Sequence, residues 1–160
     1  MRALLCRANA DDIGAAKIED VTLPELGAND VRIRVRAAAV NFPDVLMIQG
    51  KYQHKPELPF VVGGERAGDV IAVGSGVTRF KVGDRVVGGA LAGGFAQEAQ
   101  GPESSYRPIP GEADYAVASA YTTAYLTAYV SLVRRGERAK GETLLVHGAA
   151  GGVGLAAVDL

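Results

Sequence analysis

The densest potential for chemistry in this sequence lies at Gly148-Ala149-Ala150-Gly151-Gly152-Val153-Gly154. Glycines spaced in this way let the backbone turn tightly and let a pyrophosphate approach amide groups at a helix N-terminus, where the dipole favours negative charge. The last of them, Gly154, lets a helix pack closely on a strand. A lone glycine pattern is weak, and a structural turn is the plain alternative. Here the turn directly follows the apolar stretch 143–146 and opens an apolar helix, which is the strand-turn-helix setting that a dinucleotide site requires.

Metal chemistry finds little support. A catalytic zinc takes three Cys, His or carboxylate ligands and an open position, and a structural zinc takes four closed ones. Cys6, His54 and His147 are widely separated and show no paired ligand spacing. The 17 basic and 18 acidic side chains leave a formal charge of −1, so no field gathers nucleic acid or anionic lipid. No uninterrupted apolar run approaches the roughly 18 residues of a membrane helix. MRALLCRANADD turns polar too soon for a signal peptide, and the single cysteine makes no internal disulfide. A cytoplasmic protein with a small-molecule partner is expected.

Ahead of the glycine turn, the chain reads first as β. VRIRVRAAAV alternates Val31, Ile33, Val35, Ala37 and Ala39 with Arg32, Arg34 and Arg36, a strand with one buried face and three arginines on the other. Those arginines either grip phosphate or form a solvated face that resists aggregation, and the second reading is preferred. Strands are expected at 69–73 and 85–88, with a further one in GGFAQEAQ, and the Pro-rich PESSYRPIPGEAD should end the β region. From Asp114 an alanine-rich helix runs to Arg134-Arg135 before Gly136, with charges that suit the macrodipole. Tyr121, Tyr125 and Tyr129 share one of its faces and are read as packing rather than chemistry. A strand at 143–147 should present an unpaired apolar edge. The helix opening near Gly152 reaches Leu160 without a cap signal, so the sequence reads as the first part of a longer protein.

Three segments then become specific in combination. NFPDVLMIQGKY, GGERAGDVIAVGSGVTRFKVGDRV and GETLLVHGAAGGVG resemble, in order and spacing, the zinc-independent quinone oxidoreductase branch of the medium-chain dehydrogenase/reductase superfamily. The resemblance covers the amino-terminal half of a typical member and departs at Asp159, where the branch has Gln. It implies a mostly β fold with α. Residues 1–120 would form a GroES-like β-barrel substrate domain, completed in the family by later chain. Residues 121–160 would hold a connector helix and the first strand-turn-helix of a truncated Rossmann dinucleotide-binding domain. It also implies that Asn41, Asp44 and Tyr52 line the nicotinamide and substrate pocket and that Thr123 approaches the nicotinamide, with Gly148–Gly154 on the pyrophosphate. In the zinc alcohol dehydrogenases, ligands stand at the positions of Asn41 and Gly64. The chemistry suits these assignments. Asn41 and Thr123 can hydrogen-bond a carboxamide or ribose, the Tyr52 phenol can donate to a carbonyl oxygen, and Asp44 suits orientation of its neighbours. Each residue has a plain alternative as a turn or cap.

The function so implied is zinc-free hydride transfer from NADPH to a quinone, by a homodimer in the complete protein, without a membrane or nucleic-acid partner. NADH remains open, because the residue that reads the ribose lies about 20 positions beyond the glycine turn. Reduction of an enone or enoyl thioester is an alternative, as is a non-catalytic fragment or interaction module. Tight cofactor binding is not expected of these 160 residues alone, since adenine and ribose are held by later strands. Glu65 is read as a buried structural carboxylate. Arg66, where the family has a small or apolar residue, is read as a surface ion pair or a contact to an acidic substrate. His54 should be an exposed loop residue or a substrate contact, His147 packing and Cys6 core. Gln97-Glu98 replaces the family's Glu-Tyr.

Overall fold

Alternation along VRIRVRAAAV does produce the expected strand. β3, Asp30–Ala39, buries Val31 and Ile33 completely and leaves Arg34 and Arg36 exposed. The computed structural model describes residues 1–160, and the chain divides into two compact units, Met1–Ala120 and Tyr121–Leu160.

In the first unit, β1 (Arg2–Cys6) pairs antiparallel with β2 (Ala16–Asp20) and with β4 (Phe60–Val61). The larger sheet has the order β7-β3-β5-β6-β8, with β5 at Glu65–Val73, β6 at Arg85–Gly89, β7 at Glu98–Pro102 and β8 at Tyr106–Pro108. An isolated bridge between Ala3 and Ala96 joins the two sheets, so the ladder around the barrel is open. β8 lies inside the Pro-rich connection that the sequence suggested was free of strand. Tyr106 explains it: this residue is fully buried and pairs with Gly88, so side-chain burial overrides local composition. β5 also starts earlier than the turn signals indicated, because Glu65 to Gly68 are buried on both neighbours' ladders.

Val31, Ile33, Val70, Val86 and Tyr106 form the main core of the barrel. A second cluster gathers Cys6, Met47, Ile48, Phe60 and Val62 around α1 (Phe42–Ile48), the helix that carries Asp44. Cys6 is a core residue as expected, and burial pushes its thiol pKa up.

A clamp of five residues holds the start of the next helix, α2 (Tyr115–Tyr129), on this sheet. The Asp114 carboxylate accepts the Ala116 N–H at 2.7 Å, as a helix cap does. The Tyr115 hydroxyl donates to Asp69, whose other oxygen takes Arg36 at 2.6 Å, and the Arg85 guanidinium sits 4.4 Å from the Tyr115 ring centre. Burial raises the Asp69 pKa, but the hydrogen bonds from Tyr115 and Arg36 and the charges of Arg36 and Arg85 outweigh it and leave it lowered. A lowered acid binds fewer protons folded than unfolded, so its contribution is present above the usual value of 3.8 and is lost as pH falls through the lowered one. Asp69→Asn is therefore expected to lose stability near neutral pH and to flatten the acid side of the stability profile. Urea midpoints at neutral and acid pH check this, and parallel profiles for the two proteins would contradict it.

In the second unit, α2 continues as a wider π-helical stretch, Val130–Arg135, and stops at Gly136. Tyr115–Arg135 is thus a continuous 21-residue helix, by length and composition long and apolar enough to cross a membrane. Its ends agree with the start and stop signals at Asp114 and Arg134-Arg135. The tyrosine stripe is not packed as expected: Tyr121 and Tyr129 are exposed, and Tyr121 stacks on Tyr125 at 4.2 Å. Residues 143–147 form no strand, since a strand requires a ladder partner and this unit contains no other strand. Leu145 is 77% exposed, and His147, expected to pack, is exposed too. α3, Gly152–Asp159, closes the described chain, and Asp159 accepts the Tyr125 hydroxyl at 2.7 Å.

Candidate active site

Asn41 adopts extended backbone just before α1, with Pro43 in the first helical turn. Asp44, three residues on, reaches back so that its Oδ2 accepts the Asn41 N–H at 2.7 Å. Its Oδ1 accepts the Gly64 N–H at 3.0 Å. One carboxylate therefore ties the start of α1 to the turn between β4 and β5. Asp44 is 3% exposed, and burial, opposed by these two N–H donors and reinforced by the charge of Glu65, raises its pKa. With both oxygens occupied by backbone amides, Asp44 is arranged to orient its surroundings.

Glu65 opens β5 on the same side, buried as the sequence suggested. Its Oε2 accepts the Asn41 side-chain N–H at 3.2 Å, which fixes which end of the amide faces the carboxylate and leaves the Asn41 carbonyl oxygen on the other end. Gly64 sits at the centre of this group. A Cβ there would lie 3.3 Å from the Ala90 carbonyl oxygen and 3.8 Å from Asp44 Oδ1, so the position fits tightly. The structure thus brings Asn41 and Asp44 together and adds Gly64 and Glu65.

Tyr52 follows α1 and packs half-buried against the Met47 cluster. Its ring stands 6.3 Å from that of His54, tilted, and His54 is exposed as expected of a loop residue. Arg66 is neither a surface residue nor ion-paired: it is 1% exposed, with its guanidinium against the Tyr106 hydroxyl and the Ala92 carbonyl. β5 begins at Glu65 rather than at the expected 69, and its first four residues are all buried, so Arg66 lies inside the sheet instead of on the surface. No three His, Cys, Asp or Glu side chains are grouped to hold a metal ion.

Thr123 and the glycine turn belong to the second unit. Gly148 has φ +70°, a conformation that favours glycine, and its carbonyl oxygen accepts the Gly151 N–H at 3.0 Å. Ala149 and Ala150 complete the turn, and Gly151 precedes α3 with no side chain capping the helix. The first amides of α3, from Gly152, Val153 and Gly154, are thus left for an external acceptor. A Cβ on Gly152 would meet nothing within 4 Å, whereas one on Gly154 would lie 2.2 Å from the Gly148 carbonyl oxygen. Gly154 therefore lets the helix close on its own turn. These residues fit a pyrophosphate.

Residues 27–130 match the alcohol dehydrogenase GroES-like domain. The chain belongs to this family. Quinone oxidoreductase-like protein 2 homolog of Nematostella vectensis is 40% identical over 162 residues, 99% of this chain and 43% of its own length. A probable oxidoreductase from Mycobacterium abscessus superposes with a TM-score of 0.89 at 41% identity, over 99% of this chain and 50% of that one. A mycobacterial protein complexed with NADPH gives a TM-score of 0.89 at 35% identity, over 98% and 48%. This GroES-like chain spans less than half the length of the curated relatives it matches, and the fold is that of the amino-terminal half of medium-chain dehydrogenase/reductases.

Proposed function

We propose that this sequence belongs to an NADPH-dependent, zinc-free oxidoreductase that reduces quinones. In this reading residues 1–120 are the substrate domain, and 121–160 are the connector helix and the first part of the dinucleotide-binding domain. The observation that carries the reading is the Asn41-Asp44-Gly64-Glu65 group. Where a metal-dependent relative has ligands, this chain has an amide that donates to Glu65 and a glycine whose N–H is held by Asp44. Such a pocket can orient and hydrogen-bond a ligand, and it suits an acceptor that is already electrophilic and requires no Lewis acid.

Gly148 to Gly154 would hold the pyrophosphate of NADPH, and Asn41 and Thr123 would bond its carboxamide or ribose. When bound, the nicotinamide supplies the hydride. The Tyr52 phenol would donate a hydrogen bond to the acceptor's carbonyl oxygen as negative charge develops there, and Asp44 would keep Asn41 in register. The relatives named as quinone oxidoreductases and the neighbour complexed with NADPH support this reading.

Removal of the Tyr52 hydroxyl should reduce transition-state stabilisation more than ground-state binding. Tyr52→Phe is expected to lower turnover about tenfold while the Kd for NADPH changes less than about twofold. Steady-state kinetics of the full-length protein and a fluorescence titration with NADPH check this, and unchanged turnover would make Tyr52 a packing residue. Assay of the same protein on a quinone and an enone, each with NADPH and NADH, tests the function itself. Preference for the enone would reassign the substrate, and activity on neither would refute the proposal.

A further inference from the structure

Arg66 is the largest fully buried side chain of the chain, and its surroundings are unusual for a cation. Its two hydrogen bonds go to neutral oxygens, Ala92 O at 3.1 Å and Tyr106 Oη at 3.1 Å, and Nε has no hydrogen-bond partner. The guanidinium lies 5.7 Å from the centre of the Tyr106 ring, and none of the ion pairs in the structure includes it. A buried charge without a carboxylate is costly, so what it fixes in place is informative.

Arg66 fixes the backbone of residues 90–95. That segment runs along the back of the candidate site: Gly93, Gly94 and Phe95 donate to Val61, Gly63 and Val62 at 2.7, 2.7 and 2.8 Å. Its Ala90 carbonyl oxygen abuts Gly64, the residue whose N–H meets Asp44. Ala92 and Phe95 pack on the same cluster as Tyr52. Gly93 has φ +98°, and a Cβ there would lie 3.6 Å from an Arg66 terminal nitrogen, so the segment is bent around the guanidinium.

We propose that Arg66 is a positioning residue: from inside the barrel it holds the Ala92 carbonyl and, through residues 90–95, sets Gly63 and Gly64 where Asp44 and Asn41 are held. The role rests on the reading that this group is the functional pocket, but its test needs no turnover. In Arg66→Met, amide exchange at Gly93, Gly94 and Phe95 is expected to accelerate about tenfold or more, while Val31 and Ile33 in the core change less than about threefold. Loosening of the Gly64 N–H bond removes a donor from the Asp44 carboxylate, with Glu65 the neighbouring charge, so the Asp44 midpoint in carboxyl NMR moves upward. Arg66→Lys, which still donates to Ala92, restores much of the protection and returns the Asp44 midpoint towards wild type. Uniform acceleration across the sheet, or an unchanged Asp44 midpoint in a folded variant, would overturn the proposal and reduce Arg66 to core filling. Should Arg66→Met fail to fold, Tyr106→Phe frees the same guanidinium at one nitrogen and gives the same pattern more weakly, and its absence is equally decisive. A wild-type protein inactive on quinones would refute the functional reading and leave these readouts unaffected.

Discussion

Asp44→Ala is expected to destabilise the first unit by about 3 kcal/mol, because it removes two charge-assisted hydrogen bonds and leaves two partly buried N–H groups without their acceptor. The carboxylate is 3% exposed and accepts from Asn41 at 2.7 Å and from Gly64 at 3.0 Å. Asp44→Asn retains one acceptor oxygen and should lose roughly half as much. The pH dependence supplies an internal control. A raised folded pKa means that the native state binds the extra proton, so the part of stability linked to Asp44 falls as pH rises from 3.8 through the raised value. This is opposite in sign to Asp69. Urea denaturation of both variants across pH checks magnitude and sign together. A cost below about 1 kcal/mol, the level of an exposed cap, would contradict the buried, doubly bonded arrangement.

Gly154→Val is expected to abolish the glycine turn. A Cβ at this position would sit 2.2 Å from the Gly148 carbonyl oxygen and 2.8 Å from the Ala149 Cα, and both are backbone atoms that cannot move aside cheaply. The helix would have to pull away from the turn, breaking the Gly151 to Gly148 bond and misdirecting the amides at the start of α3. NADPH affinity of the full-length protein should then fall about a hundredfold or more, the loss of several charge-assisted bonds to pyrophosphate. The wild-type full-length protein is the comparison. Calorimetric titration with NADPH separates the pair, and equal affinities would show that the turn does not bind the cofactor.

Much of this was legible because it depends on local rules. The period-2 run at Val31 and Ile33 gave β3, and Asp114 and Arg134-Arg135-Gly136 marked the ends of the long helix. The Asn41–Asp44 spacing contains its own geometry, since a third helical residue can reach the amide that precedes the helix. What escaped depends on partners distant in sequence. Nothing local tells that Tyr106 would draw the Pro-rich connection into an edge strand, or that Gly64, twenty residues away, would take the second oxygen of Asp44. Arg66 was placed on the surface because cations usually are, and the strand expected at 69–73 did not reach it, so no alternation pointed it inward. The segment at 143–147 has the composition of a strand, but composition supplies no ladder partner.

The central proposal is that the group around Asn41 and the glycine turn serve one reaction, zinc-free, cofactor-dependent reduction of a quinone. The most direct measurement is the rate at which the full-length protein consumes NADPH with a quinone present, compared with the same reaction after exhaustive chelation. The account predicts quinone-dependent consumption that chelation leaves unchanged. No quinone-dependent consumption, or consumption that disappears on chelation and returns with zinc, would contradict it.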